Sequence, residues 1–297
     1  MLLRLTRASL CMLALLAVAH AAMIQDGMDN PGPWGITQPN GNALARDASG
    51  CHATYTSAGK LVYATSQNCS EPFNKTTLLN ASRIGATLPS ILLDANGALT
   101  VVYVENKSAV AAFRKPDNAS DWSYSLALQQ ESGTLVTSLS AAADADGWVH
   151  AAYSYERNDT SAFLGFSVFL NGSWKSWNKT SIERATRQGS EEYLNAALCL
   201  GADNSRHLFY VNGTSDAAYA NASSSDAAWS MQGNRFKLSA QSNIESRLSC
   251  AVDSDGRVHV VESDLTATDY VRYRNSTANF SKTILLDSRA SMGSVLV

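Results

Sequence analysis

Short apolar runs separated by Asp/Gly turns recur along residues 43–281 of the chain. In each repeat one apolar run leads into a turn, and the run after the turn closes on an aromatic residue in four of five copies. The turns begin at Asp47, Asp94, Asp144, Asp203 and Asp253. The closing residues are Tyr55, Tyr103, Tyr153, Tyr210 and Glu262, spaced 48, 50, 57 and 52 residues apart. Such a period predicts an array in which no repeat buries its own core.

Each repeat is divided into four short strands. In the second copy these are residues 90–93, 100–103 and 110–113 and a strand from Trp122. Four strands per unit of this length predict an all-β chain folded as a β-propeller of four-stranded blades. One propeller domain would span residues 22–297, with blades at about 42–80, 87–128, 137–182, 195–238 and 246–286. Residues 34–37 and 294–297 resemble strands of a further blade, which leaves open five blades with extra terminal strands or a truncated sixth.

The N-terminal segment has the pattern of a secretory signal, with Arg4 and Arg7 before an apolar stretch and Ala19-His20-Ala21 as the cleavage site. We therefore expect residues 1–21 to be a signal peptide and the mature chain to be secreted and extracellular. No other apolar run reaches the length of a membrane helix, so no membrane span is expected.

Asn-x-Ser/Thr sequons are frequent in this chain, which predicts an N-glycosylated secreted protein. They lie at Asn68, Asn74, Asn80, Asn106, Asn118, Asn158, Asn171, Asn178, Asn212, Asn221, Asn275 and Asn279. The alternative is a loop composition rich in Asn, Ser and Thr that carries no sugar.

Four cysteines remain after the signal segment, an even number suited to an oxidising compartment. Cys51 and Cys69 flank neighbouring strands of the first repeat, whereas Cys199 and Cys250 lie in first strands of consecutive repeats. Of three connectivities, these positions favour Cys51 with Cys69 and Cys199 with Cys250.

The charged residues exclude some functions and leave others open. A net charge of −3 provides no basic surface for nucleic acid. Four histidines share one repeat position, namely His52, His150, His207 and His259. They could form a metal site or a pH-sensitive group. We favour the alternative that each is hydrogen-bonded to its own turn. No Cys/His spacing fits zinc and the later ligands of a calcium loop are missing, so neither a metal nor a cofactor is expected.

The repeat of apolar strand, Asp-x-x-Gly turn, His-Val-x-Tyr and Trp resembles the sialidase-like propellers with BNR-type repeats. The resemblance covers most of the mature chain and implies their fold, which hosts hydrolases and lectins. In such sialidases the first blade opens with Phe-Arg-Ile-Pro, and the Arg binds the carboxylate of sialic acid. Thr87 holds that place here, so we expect no ordinary sialidase activity.

Several residues depart from the repeat and are candidates for a site. Trp148 follows a turn Gly and is expected to project from the hairpin tip. Sequons in three loops of the face used by sialidase-like propellers leave the sector between the last and first blades most open. We expect ligand binding there and on nearby loops by Arg247, Glu262, Asp264, Trp148 and Tyr193.

These residues support a secreted propeller that binds a glycan or an extracellular protein. The alternative is a glycoside hydrolase of sialidase-like fold with an altered acidic site, for which Glu262, Glu245 and Glu192 are candidate catalytic residues. A third interpretation is a matrix protein whose dense glycosylation is its function.

Overall fold

The computed structural model describes residues 44–57, 60–67, 69, 73–79, 86–117, 119–128, 133–157, 161–170, 172–182, 196–212, 216–224, 228–237, 247–263, 271–280 and 284–287. Within these ranges, twenty strands form five four-stranded sheets. The all-β prediction in four-stranded units is confirmed. The terminal segments 34–37 and 294–297, proposed as strands of a further blade, lie outside the described residues.

The strands of each sheet follow one another along the chain and pair antiparallel. Sheet 1 contains β1 (Leu44–Asp47), β2 (Gly50–Ser57), β3 (Lys60–Ser66) and β4 (Asn74–Leu79). Sheet 2 contains β5 (Ala86–Leu93), β6 (Leu99–Glu105), β7 (Ala109–Lys115) and β8 (Ser123–Leu128). Sheet 3 contains β9 (Thr134–Ala143), β10 (Val149–Arg157), β11 (Ser161–Leu170) and β12 (Ser173–Ile182).

Sheets 4 and 5 repeat this arrangement. Sheet 4 contains β13 (Ala196–Leu200), β14 (Arg206–Asn212), β15 (Asp216–Ala222) and β16 (Ser230–Lys237). Sheet 5 contains β17 (Arg247–Val252), β18 (Val258–Ser263), β19 (Val271–Asn275) and β20 (Ile284–Asp287), with a short 3-10 helix at Ser276–Ala278. No helix in these described parts is long and apolar enough to cross a membrane.

The core lies between sheets. The first strands of consecutive sheets are neighbours, so β5 lies beside β1 and β9, and β13 lies beside β9 and β17. Separate apolar clusters join sheets 1 and 2, sheets 2 and 3, sheets 3 and 4, and sheets 4 and 5. Each sheet thus covers the apolar face of the next one, as the repeat pattern predicts.

The Asp/Gly turns join the first two strands of each sheet and hold their own backbone. In sheet 2, Asp94 Oδ1 accepts hydrogen bonds from the backbone N–H of Asn96 at 2.8 Å and of Ala98 at 2.9 Å. Gly97 has a φ of +76°, a conformation that favours glycine. Asp144 in sheet 3 makes the same two bonds, to Asp146 at 3.0 Å and to Trp148 at 2.8 Å. The recurring Asp and Gly are therefore explained by local turn chemistry.

Both predicted disulfides are present. Cys51 is bonded to Cys69 across residues 18 apart, and Cys199 is bonded to Cys250 across residues 51 apart. The second bond links β13 to β17, the first strands of sheets 4 and 5. It therefore ties two sheets together covalently.

Candidate functional site

The histidines near the start of the second strand in sheets 1, 3, 4 and 5 contact their own turns, as predicted. His150 Nε2 lies 2.7 Å from Asp144 Oδ2, and both side chains are fully buried. The equivalent pairs are His52 with Asp47 at 3.0 Å and His259 with Asp253 at 2.9 Å. His207 instead contacts Ser205 Oγ at 3.1 Å and Tyr219 Oη at 2.7 Å.

Sheet 2 has Thr100 at the histidine position, and an arginine from the next strand completes the turn. Arg114 lies opposite Thr100 in the register of β6 and β7. Its Nη2 bonds Asp94 Oδ2 at 2.5 Å, and its Nη1 donates to Thr100 Oγ1 at 3.0 Å. A cationic or imidazole donor therefore caps the turn carboxylate in sheets 1, 2, 3 and 5.

Burial changes the pKa values of the titratable groups at the Asp/Gly turns. It lowers the pKa of His150, an effect that Asp144 opposes and Arg206 reinforces, and it also lowers the pKa of His207. Burial tends to raise the pKa of Asp47, but hydrogen bonds from Ser49 and His52 outweigh it and hold that pKa at about 2. These groups are suited to a structural role at neutral pH. Among the described residues, no group of three or more His, Cys, Asp or Glu could hold a metal ion.

Trp148 does not project freely from its hairpin. It is half-buried and packs against the apolar cluster between sheets 3 and 4. The reason is its position at the base of the turn, where its N–H and C=O both bond Asp144 and direct the ring onto the neighbouring sheet. The expectation of a projecting ring was wrong, and packing explains this residue without a ligand.

Glu262 is a buried carboxylate rather than a solvated one. It is 1% exposed and stands opposite Leu248 in β17 and Arg272 in β19. The other sheets pair the closing Tyr of the second strand with a smaller residue, namely Val62, Ala111, Gly165 and Ala218. In sheet 5, Glu262 stands where the other sheets have the closing Tyr, and Arg272 stands where they have the smaller residue. Glu262 was expected to contact a ligand directly, and its burial means that it is not an exposed side chain available for that contact.

The remaining candidate residues are not brought together by the described structure. Arg247 opens β17 opposite Ser263. Glu192, Tyr193, Glu245 and Asp264 lie outside the described residues. Their predicted roles therefore stay predictions.

Sequence reasoning missed an aromatic group on sheet 2. Tyr103, Phe113 and Tyr124 lie on consecutive strands with ring centroids 5.8 Å and 5.5 Å apart. Tyr124 Oη donates to Glu105 Oε2 at 2.7 Å. Tyr124 is 48% exposed, one of four large apolar side chains exposed in the described ranges, with Leu126, Leu135 and Met231. The available signal was an aromatic two residues after the repeat Trp122, at a position where other repeats carry none.

Comparisons with known proteins show the fold. No protein-family model matches the chain, and no curated protein matches it by sequence. Among solved structures, an ulvan lyase of a polysaccharide lyase family, bound to a GlcA(1-4)Rha3S unit, has a TM-score of 0.57 at 11% identity over 88% of this chain and 74% of its own. AofleA from Arthrobotrys oligospora has a TM-score of 0.54 at 11% identity over 86% and 70%.

A Hadza microbial sialidase is also similar, with a TM-score of 0.56 at 13% identity over 88% of this chain. The match spans 60% of that sialidase. The four-stranded antiparallel sheets of the present chain therefore match those of sialidase-like β-propellers. At this level of identity the likeness concerns architecture alone.

Proposed function

We propose that the chain is a secreted, N-glycosylated β-propeller that binds a glycan or an extracellular protein through loops on one face. Its architecture is shared with a polysaccharide lyase and a sialidase, which supports a glycan-related role. Two disulfides fit an extracellular location, because such bonds persist in oxidising compartments.

The observation that favours binding over sialidase chemistry is Thr87 in place of the sialidase Arg, because no neutral side chain replaces that permanently charged donor. The repeat carboxylates offer no substitute acid, since Asp94 and Asp144 are buried and accept bonds from their own turns and from Arg114 or His150. These turns join first and second strands, at the end of the sheets opposite the loops assigned to the ligand.

Sequons indicate which sector of the ligand face stays open. Asn106 and Asn158 come between the second and third strands of sheets 2 and 3, and Asn212 is the last residue of the second strand of sheet 4. Sugars there would crowd those loops. We therefore assign a binding role to residues of the sector formed by sheets 5 and 1 and nearby loops, namely Arg247, Asp264 and Tyr193. Glu262 is 1% exposed and is not assigned a direct ligand contact.

A glycoside hydrolase is the second candidate, and buried Glu262 is the observation that favours it. A carboxylate removed from water is the type of group whose protonation enzymes tune. Glycoside cleavage needs a second carboxylate at roughly 5 to 10 Å, and Glu245 and Glu192 are the candidates.

The test is a glycan-array screen of the secreted chain, before and after enzymatic removal of its own sugars. We expect selective binding to a subset of glycans that persists or increases after deglycosylation. Absence of binding in both preparations would contradict the glycan-binding function.

A further inference from the structure

The last three strands of sheet 2 carry an aromatic surface that runs from the apolar cluster shared with sheet 1 into solvent. Tyr103 in β6 is fully buried, Phe113 in β7 is half-buried and Tyr124 in β8 is 48% exposed. Leu126, on the same face of β8, is 42% exposed. We call Tyr103, Glu105, Phe113 and Tyr124 the tyrosine platform.

Polar groups border this platform. Glu105, at the end of β6, holds the Tyr124 hydroxyl through Oε2 at 2.7 Å, which fixes the direction of the exposed ring. A carboxylate has two oxygens and about four acceptor positions, so one such bond leaves capacity for further donors.

The inner end of the platform holds an unsatisfied donor. The Tyr103 hydroxyl is buried and has no hydrogen-bond partner in the described structure. Burial raises the pKa of Tyr103, and nearby Glu105 and Tyr124 raise it further, so the hydroxyl stays protonated. Because Tyr103 is fully buried, this hydroxyl belongs to the packed part of the platform, and the exposed part consists of Tyr124 and the groups that border it.

The platform residues other than the recurring Tyr103 are not shared by sheets 1, 3 and 4. The positions equivalent to Tyr124 are Lys75 in sheet 1, Ser176 in sheet 3 and Met231 in sheet 4. Those equivalent to Phe113 are Ala64, Ser167 and Ala220, and those equivalent to Glu105 are Ser57, Tyr155 and Asn212. Three sheets thus form without an aromatic and acid pair at this place.

We propose that the tyrosine platform binds a neutral pyranose residue of a glycan, an inference that rests on the proposed function. The apolar face of the sugar would lie on the Tyr124 ring, which presents an exposed, oriented aromatic surface. Sugar hydroxyls would donate to Glu105, which is half-buried at the edge of the platform. The same carboxylate repels an anionic sugar such as sialic acid, because like charges brought together disfavour binding.

Two sources can supply this sugar. Asn106 is the sequon next to Glu105, so a glycan attached there lies within the same region of the surface. We assign the platform to a glycan of another molecule and treat the chain's own glycan as an outcome to be distinguished.

The experiment compares Tyr124→Ala with Met231→Ala, a matched control at the equivalent, similarly exposed position of sheet 4. The probe is an array of neutral N-glycans and their sialylated counterparts, with thermal unfolding as the check on folding. We expect Tyr124→Ala to weaken binding to neutral glycans at least about tenfold and Met231→Ala to leave it unchanged. Tyr124→Phe, which keeps the ring, should retain most of the affinity.

The outcomes separate the two levels of the proposal. If the native chain binds glycans and Tyr124→Ala binds them equally well, the platform is overturned while the proposed function stands. If neither the native chain nor Asn106→Gln binds a glycan, the proposed function itself fails. A preference for sialylated over neutral probes would also overturn the platform. Binding that occurs only in Asn106→Gln would support the platform as a saccharide site and identify the chain's own glycan as its resident.

Discussion

Carboxylates are used in opposite ways at the turn end of the sheets, where the Asp/Gly turns lie, and in the tyrosine platform of sheet 2. At the turn end Asp94 and Asp144 are buried, and each is satisfied by its own backbone and by a His or Arg. On sheet 2, Glu105 is half-buried beside a ring that is 48% exposed. The first arrangement recurs from sheet to sheet, whereas the second occurs once among the sheets whose equivalent positions are described.

The difference separates residues that build the fold from residues suited to a ligand. A side chain that recurs at one repeat position serves a need shared by every sheet, such as closing a turn. A side chain that departs from the repeat and stays exposed serves none of these needs. Substitutions in the two regions should therefore change different measurable properties.

The largest effect on stability is expected from the disulfide between sheets 4 and 5. Replacing Cys199 and Cys250 by Ala should lower the free energy of unfolding by about 4 kcal/mol, since the bond closes a long loop. The shorter loop of Cys51 and Cys69 should cost about 1 kcal/mol less. Chemical denaturation of both double variants measures this order, and a larger loss for the shorter loop would contradict it.

His150→Ala should come next, with a loss of about 3 kcal/mol, because it leaves Asp144 buried without its partner. His259→Ala is the matched control, since the His259–Asp253 pair is partly exposed, and it should cost about 1 kcal/mol. Neither variant should change ligand affinity. Equal losses in the two variants would show that burial of the pair does not matter.

Glu262→Gln should destabilise by about 2 kcal/mol, because it replaces a carboxyl group that is buried in sheet 5. Glu105→Gln, at a half-buried position, should change stability by under about 0.5 kcal/mol. Urea unfolding of both variants provides the comparison. Equal stability of Glu262→Gln and the native chain would contradict this expectation.

Much of the fold could be predicted from sequence because its signals are local. The turns recur in five repeats and the histidines beside them in four, and both follow from short-range chemistry. The cysteine pairing follows from the positions of the cysteines in the repeats. The exposure of Trp148 and Glu262 could not be predicted, since it depends on how the neighbouring sheet packs. Tyr124 was missed for the same reason. The repeated aromatic residues of the last strands are buried or half-buried, and the sequence does not show that Tyr124, two residues after one of them, is exposed.

Acid should destabilise the turn end more than the platform. The pKa of His150 is held below its ordinary 6.5 by burial, so this residue contributes stability above pH 6.5 that is lost as the pH falls through its folded pKa. The lowered pKa of His207 acts in the same direction. Unfolding measured from pH 8 to pH 5 should show stability decreasing on acidification, with a smaller decrease in His150→Ala. An unchanged slope in that variant would contradict the assignment.

The central claim, a propeller that binds glycans without cleaving sialosides, is tested most directly by product analysis. The purified chain is incubated with matched neutral and sialylated oligosaccharides, and bound and released sugars are identified by mass spectrometry. We expect neutral oligosaccharides to be recovered intact from the bound fraction and no free sialic acid to form. Release of sialic acid, or shortening of either substrate that is lost in Glu262→Gln, would contradict the account and establish the hydrolase.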